Sequence, residues 1–183
     1  YSEQMNFNGA LEYYRNAYDA WEKLRNPAFL NNATLNIANT YSSLKDNDNA
    51  VKYYLQALQA ARQQGDNDMV IACLSNLGDI YVSEGDYPKA LQAVKEIEQI
   101  VPDGLSIYQY RILIKVYYLQ HKIDSARYYF NIASELAEDI RDDAQLAYLS
   151  FQIELASGNS EEAANSINEY IWLSYSISRM VVS

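Results

Sequence analysis

Tyr41, Ala50, Tyr54 and Ala57 recur at one period as Tyr81, Ala90, Val94 and Ile97, and again as Tyr117, Ala126, Phe130 and Ala133. A tyrosine, a small residue nine positions on, an apolar or aromatic residue four later and another three later is the spacing of two packed helices joined by a tight turn. A unit of this kind cannot bury its apolar face alone, so its neighbours must complete the core. The period therefore predicts a helical solenoid that grows by adding units, one continuous domain over residues 1–183.

The third unit is the clearest. Leu74, Leu77, Gly78 and Tyr81 share one helical face, Gly85 and Asp86 make the break, and Ala90, Val94 and Ile97 face back until Pro102. Asp86 is suited to cap the next helix, and Pro88 sits in its first turn, where a missing N–H costs nothing. Ala90 must be small because two helices cross there. These residues resemble the tetratricopeptide repeat family, whose W-x2-L-G-x2-Y, A-x3-F and P pattern is met as L-x2-L-G-x2-Y, A-x3-V and P.

The second unit keeps Ile37, Ala38, Tyr41, Ala50, Tyr54 and Ala57, with Thr34 in place of the large first residue. The fourth keeps Tyr110, Leu113, Tyr117, Ala126, Phe130 and Ala133, with Ile114 in place of the glycine. Tyr1, Ala10, Tyr14 and Ala17 fit the back half of a first unit. Gly158, Ala163, Ile167 and Tyr170 anchor a fifth, in which Glu154 stands where tyrosine is expected.

The repeats are placed at 1–30 (partial), 31–70, 71–106, 107–143 and 144–183. Their anchors are spaced 40, 40, 36 and 37 apart, longer than the common unit of roughly 34 residues. In the second unit the extra length lies in an apolar stripe from Val51 through Tyr54, Leu55 and Leu58 to Ala61, closed by Gly65. Units this long look like those of bacterial peptide-sensing regulators and of sensory regions in some membrane-bound bacterial signalling proteins. The resemblance implies an all-α fold, a right-handed superhelical solenoid of antiparallel helix pairs. Helices are predicted near 9–25, 31–44, 48–64, 68–84, 87–100, 105–120, 123–139, 142–157 and 160–178.

A formal net charge of -10 argues against nucleic acid, which needs a basic stripe, and against an anionic membrane surface. Charge of this size also serves solubility. Cys73 is the only cysteine and His121 the only histidine, so neither a disulfide nor a soft metal site is expected, and no cofactor. His121 falls in a turn. Asp46-Asn47-Asp48-Asn49 lacks the glycine and distal glutamate of a calcium loop and reads as a turn followed by an N-cap. No catalytic residues are assigned, and an enzyme is not expected. The compartment is left between cytoplasmic and extracytoplasmic, as part of a longer protein.

Binding is the expectation instead. Leading helices of stacked repeats line a concave face, and its outward positions follow from the register. The ligand-binding candidates are Asn39, Ser75 and Asp79 on one wall and Tyr108, Arg111, Lys115, Tyr118, Tyr148 and Gln152 on the other. Arg111 and Lys115 stand four apart on one face, so both could meet one carboxylate or phosphate, with tyrosines supplying contact area. The alternative is that both pair with acidic residues such as Asp79 and only hold the stack together. The chaperone-clamping pattern of some family members is not carried over, because Leu35 and Tyr108 stand where its lysines belong.

The expected partner is a protein or peptide, with a homodimer left open. The second reading is a sensory region of a longer membrane-anchored signalling protein. Its apolar end, Ile171, Trp172, Tyr175, Ile177, Met180 and Val181, would then lead onward to a coiled coil or membrane helix.

Overall fold

The computed structural model describes residues 2–24 and 27–182, and among them it shows nine α-helices and no strand. The chain divides into two compact units, Tyr1–Ser83 and Glu84–Ser183. The first holds α1 (Ser2–Lys23), α2 (Pro27–Ser43), α3 (Asn47–Gln64) and α4 (Asn67–Ser83). The second holds α5 (Tyr87–Glu98), α6 (Ile107–Leu119), α7 (Ile123–Glu135), α8 (Ile140–Ser157) and α9 (Ser160–Val182). Tyr1, the first anchor of the repeat, and the side chain of Val181 lie outside the described residues.

Every predicted helix is present. The largest differences are at α1, which starts at Ser2, at α2, which starts at Pro27, at α7, which stops at Glu135, and at α9, which runs to Val182. α7 stops early because Asp139 turns extended (φ -140, ψ 168) and its carboxylate accepts from the N–H groups of Arg141 and Asp142. That cap commits the chain to a new helix.

In the first unit α1 packs on α2, α2 on α3 and α3 on α4. Ala38, Ala50 and Ala57 have no exposed surface, as the repeat grid requires of residues at helix crossings. Tyr54 is buried with them, and its hydroxyl donates to Asn39 Oδ1 at 2.6 Å, which satisfies its polar end. Burial pushes that hydroxyl up to about 12. The stripe on α3 is narrower than expected: Tyr54, Leu58 and Ala61 are buried, but Leu55 is 46% exposed. One residue is a turn of about 100° around a helix, which carries Leu55 off the covered face.

In the second unit α5 packs on α6, α6 on α7, α7 on α8 and α8 on α9, and α6 also touches α8. One core cluster joins Ile114, Ala126, Ala133, Leu146, Leu149 and Ile153, with Tyr117, Tyr118, Tyr129 and Phe130 against it. Another joins Ala144, Ala147 and Leu173. Glu154, the anomalous anchor, is held at 2.7 Å by Arg127, which forks onto both carboxylate oxygens. Arg127 first, and Asn159 with it, hold the Glu154 carboxyl below the usual carboxylate range.

A common device ends the leading helices. Lys45, Gly85, His121 and Gly158 each lie four residues after an anchor, and each has a left-handed backbone, with φ of 61, 77, 57 and 83. The next N–H then reaches back to the anchor carbonyl: Asp46 to Tyr41, Lys122 to Tyr117 and Asn159 to Glu154, at 2.9 to 3.0 Å. Asp46 and Asp86 continue as N-caps, accepting from the N–H of Asn49 and Lys89. This places His121 in the turn as a backbone element.

Left-handed backbone costs a non-glycine residue about 1–2 kcal/mol, while glycine gives back roughly 0.5–1 kcal/mol in chain entropy. Lys45→Gly and His121→Gly are therefore each expected to raise stability by up to about 1 kcal/mol in urea unfolding. A loss of stability would count against the turn geometry. The ion pair makes a separate prediction. Because the folded pKa of Glu154 is depressed, its contribution is fully present above the unfolded value of 4.5 and is lost as pH falls through the folded one. The stability advantage of the unsubstituted chain over Glu154→Gln should be complete at neutral pH and shrink below about pH 4.5.

Candidate functional site

The second unit builds a pocket from two leading helices. α6 begins where Gln109, itself buried, accepts the Ser106 N–H at 3.0 Å. Ile112, Leu113, Ile114 and Val116 take its inner faces. Arg111, Lys115 and Tyr118 are left at i, i+4 and i+7 on another side. On α8, Ala144, Leu146, Ala147, Leu149 and Ile153 are buried, and Gln145, Tyr148 and Gln152 follow the same logic. These two polar faces, with Leu149 at the base and Tyr170 of α9 at the side, line one cavity of about 290 Å³.

Its polar groups are incompletely used. The Arg111 guanidinium stands 5.3 Å from the ring centre of Tyr108, a cation over an aromatic face. Its Nε is buried and has no hydrogen-bond partner, and the same holds for Oε1 of Gln145. A buried donor or acceptor without a partner costs about 1–3 kcal/mol, so these atoms are primed for an incoming group. Burial pushes the Tyr118 hydroxyl above its ordinary value and keeps it a neutral donor. Tyr148 packs on Tyr170 at 5.2 Å and on Phe151 at 6.1 Å between ring centres.

Arg111, Lys115, Tyr118, Tyr148 and Gln152 all line this cavity, and Tyr108 stands behind Arg111. Sequence reasoning missed Tyr170, because it looked for ligand contacts only on leading helices and Tyr170 reaches in from the second helix of its pair. The expected first-unit wall fares differently. Asn39 is exposed, with its side-chain carbonyl already accepting from Tyr54. Asp79 is half-buried. Ser75 is only 6% exposed, which corrects its placement on an open face: residues around it on α4, including Leu74 and Gly78, are also buried. Asn76 turns its amide back onto the Ala72 carbonyl at 2.9 Å. Among the described residues no group of acidic, histidine or cysteine side chains could hold a metal ion.

A family model described as tetratricopeptide repeat matches residues 29–103. Over this stretch the chain is similar to tetratricopeptide repeats. This stretch carries the second and third units, where the tyrosine and alanine grid is cleanest. Tetratricopeptide repeats are in general non-catalytic scaffolds for protein–protein interaction.

Beyond that stretch the fold is shown by the crystal structure of BtubC (BKLC) from P. vanneervenii, which is similar with a TM-score of 0.75 at 21% identity. The match covers 97% of this chain and 76% of that one. The fold is thus an all-α solenoid of helix pairs. No curated protein matches the sequence.

Proposed function

We propose that this protein is a non-catalytic binding module that captures an acidic peptide segment in the cavity between α6 and α8. The observation that supports this most is the buried, unpartnered Nε of Arg111 beside a tyrosine-lined opening. At about 290 Å³ the cavity lies at the floor of the roughly 300–1,000 Å³ usual for small-molecule sites, so a side chain or chain end suits it better than a cofactor. Arg111 and Lys115 meet the carboxylate, Tyr118 and Gln152 donate to it or to the adjoining backbone, and Tyr148 and Tyr170 cover the apolar part. In the first unit Asn39, oriented by Tyr54, is the reader of an extended backbone, with Asp79 beside the same row of positions.

An array of acidic peptides identifies a binder, and fluorescence anisotropy measures it. Replacing Arg111 and Lys115 together by alanine should weaken that binder by at least about tenfold, since charge-assisted hydrogen bonds are worth about 1.5–3 kcal/mol each. Helix content by circular dichroism should not change. Equal affinity in the double variant would remove this site from consideration.

A second reading has its own observation. On α9 the side chains of Ile171, Trp172, Tyr175 and Met180 are each more than half exposed, and all but Met180 fall within two turns. An exposed apolar face of this kind suits self-association, in line with a sensory or regulatory region of a longer protein. Among the described residues no helix is long and apolar enough to cross a membrane. In sedimentation equilibrium, Trp172→Glu should shift a dimer towards monomer. A chain that is monomeric before substitution would end that reading.

A further inference from the structure

We infer that the first unit holds a second, separate binding site, which takes a carboxylate-bearing peptide segment in a cleft lined by α1, α2 and α3. Arg15 and Tyr18 come from α1 and Lys52, Tyr53 and Gln56 from α3, around a cleft of about 370 Å³ with Ile37 of α2 at its base. α1 and α3 are the second helices of their pairs, so this cleft is built on a different set of helices from the α6/α8 cavity. Like that cavity it is lined by two cations and by tyrosines, with one cation of each set over a tyrosine ring.

The cations are held in place by the rings. Arg15 Nη2 donates to the Tyr41 hydroxyl at 2.6 Å. Tyr41 stacks on Tyr53 with ring centres 5.5 Å apart and planes 13° from parallel. Lys52 Nζ lies 5.7 Å from the centre of the Tyr53 ring. One stacked tyrosine pair thus steadies both charges, a guanidinium through a hydrogen bond and an ammonium through a ring face. Preorganised cations bind an anion at lower entropic cost than free surface side chains.

The charge balance makes the pairing unusual. The chain has 24 acidic residues against 14 lysines and arginines, yet no ion pair joins Arg15 or Lys52 to a carboxylate among the described residues. A merely solvated face in so acidic a protein would be expected to neutralise them. Asp19 also lines the cleft and decides the class of ligand. Two cations and one carboxylate leave a single positive charge, which suits a carboxylate and disfavours a phosphate dianion. Asp19 and the Gln56 amide can bond the N–H and C=O groups of the peptide that bears it, and Ile37 and the tyrosine rings cover its apolar neighbour.

The test is a titration of the whole chain, labelled with ¹⁵N, against four probes. These are acetyl-Tyr-Glu amide, acetyl-Tyr-Gln with a free C-terminus, the neutral acetyl-Tyr-Gln amide, and inorganic phosphate. At least one carboxylate probe should move the amides of Arg15, Asp19, Lys52 and Gln56, and comparison of the first two tells a side-chain carboxylate from a chain end. The neutral probe and phosphate should bind at least about tenfold more weakly.

Lys52→Gln leaves the Arg15–Tyr41 bond untouched and should cost about tenfold in affinity, with recovery in Lys52→Arg. Replacing Arg111 and Lys115 by alanine should leave these shifts unchanged, so the two sites stand or fall separately. The inference is overturned if neither carboxylate probe moves these amides, or if the neutral probe or phosphate binds as well. Undiminished affinity in Lys52→Gln overturns it too.

Discussion

The leading helices α2, α4, α6 and α8 all stop before a single residue in left-handed conformation four positions past the anchor. The bond from the following N–H back to the anchor carbonyl closes the helix, and the acidic cap that comes next in two of the turns starts the partner helix. The alanines with no exposed surface can sit at the crossings only if the turn returns the chain in register. Side-chain identity at the turn is secondary: lysine, histidine and glycine all serve. The repeat is therefore maintained by backbone geometry first and by packing second.

That hierarchy explains what could be read from the amino-acid order. Tyr54, Ala57 and Ala126 announced their burial through spacing, and the helix boundaries followed from caps such as Asp46 and Asp86. The register also brought Arg111, Lys115, Tyr118, Tyr148 and Gln152 to one side. It failed where coverage by a neighbour decides the outcome. Leu55 looked like core and is exposed, while Ser75 looked open and is buried. The partner of Glu154 was invisible because Arg127 lies 27 positions away, in the preceding repeat. Tyr170, Arg15 and Lys52 stand on second helices, where the register of the leading helices assigns no outward position.

The two clefts share one principle. Tyrosine is amphipathic, so a ring can support a cation on its face while its hydroxyl meets water or a side chain. With eighteen tyrosines the chain has ample material for this. Tyr108 under Arg111 and Tyr53 under Lys52 do the same work on different helices. In an acidic protein such rings offer a cation a resting place that does not neutralise it, and a charge left unneutralised remains available to a ligand.

Cys73 has no exposed surface, and burial pushes its thiol up to about 12, so in the closed first unit it is neither reachable nor ionised. It is also the only thiol in the chain. Thiol alkylation of this protein can proceed only when the residues packed around Cys73 part. The chain thus carries a natural clock for the breathing of one half, against which the effect of any bound peptide can be timed.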